Sequence, residues 1–379
     1  MTLALAEVVA ELERRYDPRG AEPWDAVGLV CGDPDARVER VHVAVDPVLA
    51  VADEAIAAGA QLLVTHHPLF LGGTTSVAAT TTKGQVVHRL VSAGVGLYVA
   101  HTNADVASPG VSDALAGALG LRDVSPLEPR PSEATDKLVT FLPAADVERV
   151  LDAVTDAGAG TIGAYTRCAF LGEGSGTFRA EIGARPTIGA IGEVTRVDEV
   201  RVEIVVPRRL RLDVQRALLA AHPYDEPAYD VYELAALPSD LGPSGRGLGR
   251  VGELDTATTL ADFTARVADA LPATAAGVRA AGPADRSVRR VAVCGGSGGD
   301  LAEAAAGSGA DVLVTADLKH HSTSEAVADT GVALIDAGHW ATEWPWLRQL
   351  AGELADTVAG VTVSTLVTDP WTVHRQKEL

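Results

Sequence analysis

Two segments of this chain recur 250 residues further on. Val38–Val45 resembles Val288–Cys294, and Ala60–Thr65 resembles Ala310–Thr315 at the same offset. Because the offset is equal, the segment between the two motifs has the same length in each copy. We interpret the chain as two related α/β halves whose strands point their carboxyl ends into a shared cleft. The alternative is that βα units of similar composition resemble one another in a chain rich in alanine, valine and glycine.

Each half also contains a strand that runs into a histidine, with an acidic residue four positions later. These pairs are His101 with Asp105 in the first half and His339 with Glu343 in the second. If the residues from Trp340 onward are helical, the spacing places His339 and Glu343 on one face of the helix. One such pair is a weak indication, and its repetition in both halves strengthens it.

Adjacent histidines follow a buried strand of the first half. Gln61–Thr65 is continuous and apolar, as parallel strands covered on both faces are, and it ends at His66, His67 and Pro68. Neighbouring side chains of an extended segment point to opposite sides, so the two imidazoles can serve two different ions. The alternative is that one histidine caps the strand while the other is exposed. We favour metal ligation because further ligand candidates follow other strands.

Three other motifs are less specific, and two of them have two interpretations each. Asp317 stands where the first half has a histidine, and His320 and His321 follow it. These residues either contact a substrate or the metal ligands, or they are solvated residues that open a helix. The glycine-rich loop Cys294–Asp300 is either an anion-binding loop or a tight strand-to-helix turn. The Trp-Asp pair at 24–25 is interpreted as a packed corner.

The middle of the chain differs from both halves. We predict an inserted α+β domain at 127–245, between a first half at 1–126 and a second half at 246–379. Gly242–Gly249 lacks the Gly-Lys-Ser/Thr ending of a phosphate-binding loop, so we interpret it as a flexible hinge. His222 lies among prolines and tyrosines, which indicates a packed turn or a subunit contact rather than a metal site.

Composition narrows the range of partners. The chain has 31 basic and 51 acidic side chains and a formal net charge of −20. This charge argues against nonspecific nucleic-acid binding and against an anionic membrane surface, but a bound metal would still allow a nucleotide ligand. The three widely spaced cysteines argue against a disulfide framework, and the amphipathic start of the chain is unlike a signal peptide. We therefore expect a cytoplasmic protein without membrane spans.

The candidate ligands are imidazoles and carboxylates without a thiolate. They are His66, His67, Asp105, His339 and Glu343, with His101 as a further candidate. Such a set suits Zn²⁺, Mn²⁺, Co²⁺ or Fe²⁺. It is larger than one ion with an open coordination position needs, so we expect two divalent ions bridged by Glu343. Metal-activated hydrolysis is the favoured reaction class, since the chain lacks a Gly-x-Ser-x-Gly nucleophile motif.

Four motifs together resemble those of a known family. They are Trp24-Asp25 with Gly28-Leu29, His66-His67-Pro68, His101–Asp105, and Gly338-His339 with Glu343. They are similar to the motifs of the NIF-three-like family, dinuclear-metal proteins of the YbgI and YqfO type that are known as GTP cyclohydrolase I type 2 homologues. The resemblance covers nearly the whole chain. The chain departs from the family at Ala26, where the family usually has asparagine.

The resemblance implies a metal site and an assembly. It implies that the five residues His66, His67, Asp105, His339 and Glu343 bind the metals, that Glu343 bridges them, and that His101 lies beside the ligands. It also implies a homohexameric toroid whose metal pairs face an inner cavity. The inserted segment resembles the CutA/PII-like domain, with a ferredoxin-like α+β fold, of the longer family members.

We therefore predict a dinuclear metal-dependent hydrolase that acts on a nucleotide or a small phosphorylated substrate, with GTP ring opening as the candidate reaction. The expected catalytic residues are Glu343, Asp317 and His321, and His101 is a further candidate for proton transfer. One alternative is a metal-binding regulatory assembly without catalysis. A second alternative is a metal-dependent phosphoesterase.

Overall fold

The computed structural model describes residues 2–130, 133–163, 165–235 and 245–375. The chain forms two compact units. Unit 1 combines Met1–Arg130 with Pro243–Leu379, and unit 2 is Pro131–Gly242. Unit 1 is therefore built from two stretches of chain, and unit 2 from the continuous stretch between them.

The helices and strands are numbered in chain order through both units, and those between residues 131 and 242 belong to unit 2. The helices are α1 (Leu5–Arg15), α2 (Leu49–Ala57), α3 (Thr82–Ser92), α4 (Thr102–Asp105), α5 (Val111–Ala118), α6 (Val147–Asp156), α7 (Arg211–Ala221), α8 (Leu260–Ala270), α9 (Ala302–Gly307), α10 (His320–Thr330) and α11 (His339–Leu354). The strands are β1 (Leu3–Ala4), β2 (Gly28–Cys31), β3 (Arg37–Val38), β4 (Arg40–Ala44), β5 (Leu62–Thr65), β6 (Gly96–Val99), β7 (Arg122–Pro129), β8 (Thr135–Leu142), β9 (Ala169–Arg179), β10 (Val194–Pro207), β11 (Tyr229–Glu233), β12 (Gly247–Thr259), β13 (Arg279–Ala281), β14 (Ser287–Val293), β15 (Val312–Thr315), β16 (Ala333–Asp336) and β17 (Gly360–Val363).

Each half of unit 1 contains three neighbouring parallel strands. In the first half, β4, β5 and β6 are parallel and all of β5 is buried. In the second half, β14, β15 and β16 have the same arrangement. The strands of the repeated motifs therefore occupy equivalent places in two sheets, and the predicted α/β class is confirmed. Parallel strands end at the same edge of a sheet. The loop after β5 therefore lies beside the loop after β6, and the loop after β15 lies beside the loop after β16.

The two halves exchange strands at the edges of their sheets. The first sheet has the order β17-β4-β5-β6-β2, and the second has the order β13-β16-β15-β14-β12-β7. Thus β17, from the second stretch of chain, pairs with β4 of the first sheet. In the opposite direction, β7 pairs with β12 of the second sheet. Each sheet is completed by the other half, and apolar residues of both sheets lie in one core.

The glycine run predicted to be a hinge belongs to a strand from Gly247 onward. Gly247 and Leu248 belong to β12 and lie opposite Pro129 and Glu128 of β7. A Cβ at Gly247 would collide with the carbonyl oxygen of Glu128 and lie 2.8 Å from the Pro126 Cβ. Glycine is needed here for the close approach of two strands rather than for flexibility. Residues 242–244 of this run lie outside the described residues.

A buried arginine joins the two stretches of unit 1. Arg250 of β12 is 1 % exposed. Its Nε and one terminal nitrogen donate to the two carboxylate oxygens of Asp113 in α5, both at 2.7 Å. Its other terminal nitrogen donates to the carbonyl oxygens of Gly247 and Gly249, also at 2.7 Å. The carboxylate of Asp113 in turn accepts a hydrogen bond from the backbone N–H of Gly110, at the start of α5.

Unit 2 has the β-α-β-β-α-β order of a ferredoxin-like fold. Its elements run β8, α6, β9, β10, α7 and β11, and its antiparallel sheet has the order β11-β8-β10-β9. The unit has a core of its own, in which Val150 and Val154 of α6 pack with Val202 and Ile204 of β10. His222 is buried there and its Nε2 lies 3.2 Å from the carbonyl oxygen of Phe141, in agreement with a packed turn. The closer relationship to CutA/PII-like domains stays a prediction.

Three expectations can be compared with the described residues. Within them, every helix is too short or too polar to cross a bilayer. Cys31, Cys168 and Cys294 are free thiols. The first helix is amphipathic, as predicted, with Leu5, Val8 and Leu12 buried along one face.

Candidate metal centre

The loop after β5 carries two histidines that are held in different ways. His66 is fully buried, and its Nδ1 lies 2.9 Å from the carbonyl oxygen of Ala100. A carbonyl oxygen only accepts hydrogen bonds, so Nδ1 carries the proton and Nε2 presents a lone pair. The indole of Trp346, a residue that is also fully buried, packs against the His66 ring at a centroid distance of 5.4 Å. The orientation of His66 is therefore determined by both a hydrogen bond and packing.

His67 and His339 are each oriented by a carboxylate. The Nδ1 atom of His67 lies 2.7 Å from Asp46, which follows β4, and the Nδ1 atom of His339 lies 2.7 Å from Asp317, which follows β15. With protons on both Nδ1 atoms, the two Nε2 atoms present lone pairs, and these atoms are 3.2 Å apart. Two neutral imidazoles repel one another in this arrangement unless a cation or a proton lies beside them.

Glu343 lies at the centre of the histidine group. It is 2 % exposed on the second turn of α11, one turn after His339, so the predicted helix and the shared face are both confirmed. Its Oε1 atom lies 3.0 Å from Nε2 of His339 and 3.4 Å from Nε2 of His66. Its Oε2 atom lies 3.1 Å from Nε2 of His67. Asp105, on the remaining side, has its Oδ1 atom 3.7 Å from Nε2 of His66.

All five predicted ligands therefore point lone pairs into one small space. Buried Nε2 of His66 and buried Oε2 of Glu343 have no hydrogen-bond partner among the described residues. Buried acceptors without a donor are costly, and a divalent cation supplies the missing positive charge. Imidazole nitrogens and carboxylate oxygens are the donor atoms that Zn²⁺, Mn²⁺, Co²⁺ and Fe²⁺ accept. The residues present fit a metal centre, and Glu343 has histidines on both of its oxygens.

His101 lies beside this group. One of its ring nitrogens is within 4.8 Å of ligand atoms of His66 and His67. Its Nδ1 atom lies 2.9 Å from Oδ1 of Asp25, whose carboxylate is buried and also accepts a hydrogen bond from the backbone N–H of Thr102 at 3.0 Å. Asp25 is packed and orients His101, but Trp24 is 59 % exposed, so the prediction of a packed corner is wrong for the tryptophan. The place of His101 beside the ligands rather than among them stays a prediction.

The pKa values of these side chains are shifted by burial and by the charges of their neighbours. Burial lowers the pKa of His67, but the carboxylates of Glu343 and Asp46 outweigh burial and raise it to about 11. Burial likewise lowers the pKa of His339, and its hydrogen bonds to Glu343 and Asp317 raise it to about 9. Burial raises the pKa of Asp105 to about 6. The group therefore retains protons when no cation is bound, and binding of a divalent ion releases them.

The glycine-rich loop after β14 packs against the centre from the side of the second half. The backbone N–H of Gly296 donates to Oγ1 of Thr342 at 2.9 Å, and that of Gly298 donates to Oγ1 of Thr315 at 2.8 Å. Both amides already donate hydrogen bonds within the protein. This favours the interpretation of Cys294–Asp300 as a tight turn rather than an anion-binding loop. Gly296 has a φ of +65°, and a Cβ there would collide with Oε1 of Glu343 and lie 3.1 Å from Nε2 of His339.

We expect Gly296→Ala to weaken metal binding while the protein still folds. The new methyl group must displace the Glu343 carboxylate, and the left-handed backbone adds a strain of about 1–2 kcal/mol. Metal titration followed by elemental analysis should show an affinity at least roughly tenfold lower, comparable to the loss of a supporting contact. The control is Gly117→Ala in α5, where a Cβ meets open space and the affinity should not change. An unchanged affinity in Gly296→Ala would show that the contact has no role in the site.

The predicted catalytic residues do not all meet at the centre. Glu343 lies in it, and Asp317 contacts it through Nδ1 of His339. His321 is exposed on the first turn of α10, where its ring packs against that of His320 at a centroid distance of 5.0 Å. It does not line the cavity above the centre within the described part of the chain. Asp317 has a φ of 57°, and α10 begins three residues after it. The geometry offers no support for a role of His321.

Two residues of the site were missed or undervalued. Asp46, which orients His67, is an isolated acidic residue after β4. Its position at the end of a strand is the one feature of the sequence that could have indicated its role. Gly296 lies in a recognised loop, but its contact with Glu343 depends on the packing of α11 against β14. No spacing in the sequence reports that contact.

Comparisons with known proteins give a consistent result. A model of the family described as Duf34/NIF3 (NGG1p interacting factor 3) matches residues 3–370. A Mycobacterium tuberculosis protein named GTP cyclohydrolase 1 type 2 homolog is 49 % identical over 99 % of this chain and 98 % of its own length. A Streptomyces coelicolor protein of the same name is 39 % identical over 98 % of this chain and 94 % of its own length.

Solved structures resemble the fold over its full length. A Bacillus cereus protein described as related to NIF3 has a TM-score of 0.79 and 35 % identity, and the match covers 98 % of this chain and 99 % of that one. A Staphylococcus aureus protein has a TM-score of 0.76 and 30 % identity, with the same coverage of both chains.

Proposed function

Because this chain belongs to the Duf34/NIF3 (NGG1p interacting factor 3) family, we propose that it is a dinuclear metal-dependent hydrolase of nucleotides, with GTP as the candidate substrate. The observation that carries the proposal is the convergence of three imidazole Nε2 atoms and two carboxylates on one small buried space. GTP is the candidate substrate because relatives that are 49 % and 39 % identical to this chain are named GTP cyclohydrolase 1 type 2 homolog. The homohexamer implied by the family resemblance and the cytoplasmic location expected from the cysteine content are likewise proposed.

We assign the metal ligands by their mutual distances. His66 and Asp105, whose Nε2 and Oδ1 atoms are 3.7 Å apart, would hold one ion, and His67 and His339, whose Nε2 atoms are 3.2 Å apart, would hold the second. Glu343, which contacts all three histidines, would be shared by both ions. Two divalent ions, when bound, activate water as a nucleophile and stabilise negative charge that develops on the substrate.

The remaining residues orient the ligands and exchange protons. Asp46 and Asp317 hold the Nδ1 protons of His67 and His339, which keeps both Nε2 atoms directed at the centre and raises their basicity. Asp25 does the same for His101. The His101 side chain is 15 % exposed, so its Nε2 can exchange a proton with a bound substrate or with solvent.

The first test measures metal content and GTP consumption on the same preparation. We expect about two divalent ions per chain after reconstitution and GTP consumption that stops when a chelator removes them. Chromatography of the products distinguishes ring opening from release of phosphate. His67→Ala should lose one ion or both, together with turnover.

The outcomes separate the alternatives. Release of phosphate or cleavage of a phosphodiester without ring opening would favour the phosphoesterase. Two bound ions without turnover of any nucleotide would favour the regulatory assembly. A reconstituted protein that holds no metal would refute the metal centre itself.

A further inference from the structure

A large cavity opens directly onto the candidate metal centre. Its volume is about 1230 Å³, and it lies entirely within unit 1. His67 and His339 form part of its floor, and residues 368–371 of the segment that follows β17 form part of its wall. Pockets for drug-sized ligands measure roughly 300–1,000 Å³, so this cavity has room for a ligand of nucleotide size.

The acidic groups that line the cavity are already engaged. Asp46 and Asp317 hold the imidazoles of the floor, and Asp46 also accepts a hydrogen bond from the hydroxyl of Thr368. Asp336 accepts one from Arg279 at 2.8 Å, and Asp369 accepts one from the backbone N–H of Trp371 at 2.9 Å. These partners offset much of the negative charge that would otherwise repel an anion.

Lys83 is a cation of this lining with no acidic partner among the described residues. It is exposed at the start of α3, and its ammonium group lies 5.7 Å from the centroid of the Phe70 ring. Lys83 lines the cavity, and an ammonium group without an acidic partner is available to a phosphate or a carboxylate of a ligand. The other cation of the lining with a fixed charge, Arg279, is paired with Asp336.

Trp371 is an aromatic side chain of the same lining that remains largely uncovered. It is 68 % exposed, and the hydrogen bond from its backbone to Asp369 fixes the turn that carries it. An indole ring has a large flat surface, and aromatic faces stack readily on heteroaromatic rings. A ligand that covered this exposed ring would remove apolar surface from water, and this burial favours binding.

We propose that this cavity binds a ligand that combines a flat heteroaromatic ring with an anionic group, the ring stacked on Trp371 and the anionic group held by Lys83. The inference rests on the proposed function, because it places the substrate over the candidate metal centre. Within that function it assigns two specificity residues that touch opposite chemical parts of the ligand. A nucleoside phosphate has both parts.

The test separates the two contacts with three probes. GTP contains both parts, guanosine lacks the phosphates, and tripolyphosphate lacks the ring. Isothermal titration of the full-length, metal-loaded protein gives the affinity for each probe. Trp371→Ala should weaken GTP and guanosine roughly tenfold and leave tripolyphosphate unchanged, since stacking is independent of the phosphates. Trp371→Phe, which keeps an aromatic face, should restore most of the affinity.

Lys83→Met should give the opposite pattern. GTP and tripolyphosphate should weaken roughly tenfold, as expected for the loss of a charged hydrogen bond, while guanosine binding stays the same. The matched controls are Lys319→Met, another exposed lysine outside this lining, and Tyr165→Ala, an exposed aromatic residue of unit 2. Both controls should bind all three probes as the unaltered protein does.

Two results would overturn the inference. One is that the unaltered, metal-loaded protein binds none of the probes. The other is that Trp371→Ala and Lys83→Met bind all three probes as tightly as the controls do. Failure of the proposed function would give a different result. The protein would hold two ions and bind GTP through these residues, but it would not consume GTP.

Discussion

Glu343→Gln is expected to abolish stable metal binding and, with it, any metal-dependent turnover. The substitution keeps the shape of the side chain but removes the negative charge that lies between three histidines. The amide nitrogen also presents hydrogen atoms to an imidazole nitrogen where the carboxylate presented lone pairs. Loss of a supporting residue around a metal costs roughly 10–100-fold in affinity, so loss of the central ligand should exceed roughly 100-fold.

Elemental analysis after reconstitution and desalting measures this effect directly. The matched control is Glu303→Gln, the same substitution at an exposed position of α9, which should retain the full metal content. Circular dichroism should show that the Glu343 variant is folded, because glutamine keeps the size and shape of the side chain. A variant that still holds two ions per chain would remove Glu343 from its assigned place between them.

Arg250→Met is expected to destabilise unit 1 by about 3–5 kcal/mol, the cost of breaking a buried ion pair by removing one partner. Methionine fills most of the volume but provides none of the hydrogen bonds to Asp113 or to the carbonyl oxygens of Gly247 and Gly249. The carboxylate of Asp113 would then lack a counter-ion, and the buried carbonyl groups would lack donors.

Urea unfolding followed by tryptophan fluorescence measures this change in unit 1 alone. All five tryptophans of the chain lie outside 131–242, so their emission does not report on unit 2. The control is Arg122→Met on the neighbouring strand β7, where the ion pair with Asp255 is 70 % and 59 % exposed and is worth at most about 1 kcal/mol. Equal shifts of the unfolding midpoint in both variants would refute the role of Arg250 as a link between the two stretches of chain.

The sequence predicted the candidate site well because its residues lie at strand ends. Parallel strands point their carboxyl ends to one edge, so a histidine after β5 and another after β6 must lie close together whatever the details of packing. The i,i+4 spacing then placed Glu343 beside His339 once the segment proved helical. The pairing of ligands into two ions, by contrast, came from the chemistry of the donor atoms and from family resemblance.

The features that the sequence did not reveal depend on contacts between distant segments. The approach of Gly296 to Glu343 joins a turn of one strand to the face of a helix. The hinge predicted at Gly242–Gly249 was wrong from Gly247 onward, because a glycine that permits close strand contact looks the same in sequence as one that permits motion. His321 resembled a site residue because it follows the repeat, but the backbone turns it outward.

The exchange of edge strands has a consequence for synthesis on the ribosome. The edge of β4 is covered only when Gly360–Val363 has been made, long after β4 itself has emerged. At translation rates of about 5–20 residues per second, that interval lasts roughly 15–60 s. Unit 2 is one continuous stretch of chain with its own core, so all the residues that it needs for folding have been made within this interval. The first half is therefore the part of the nascent chain with an open strand edge, and the part for which a chaperone would matter most.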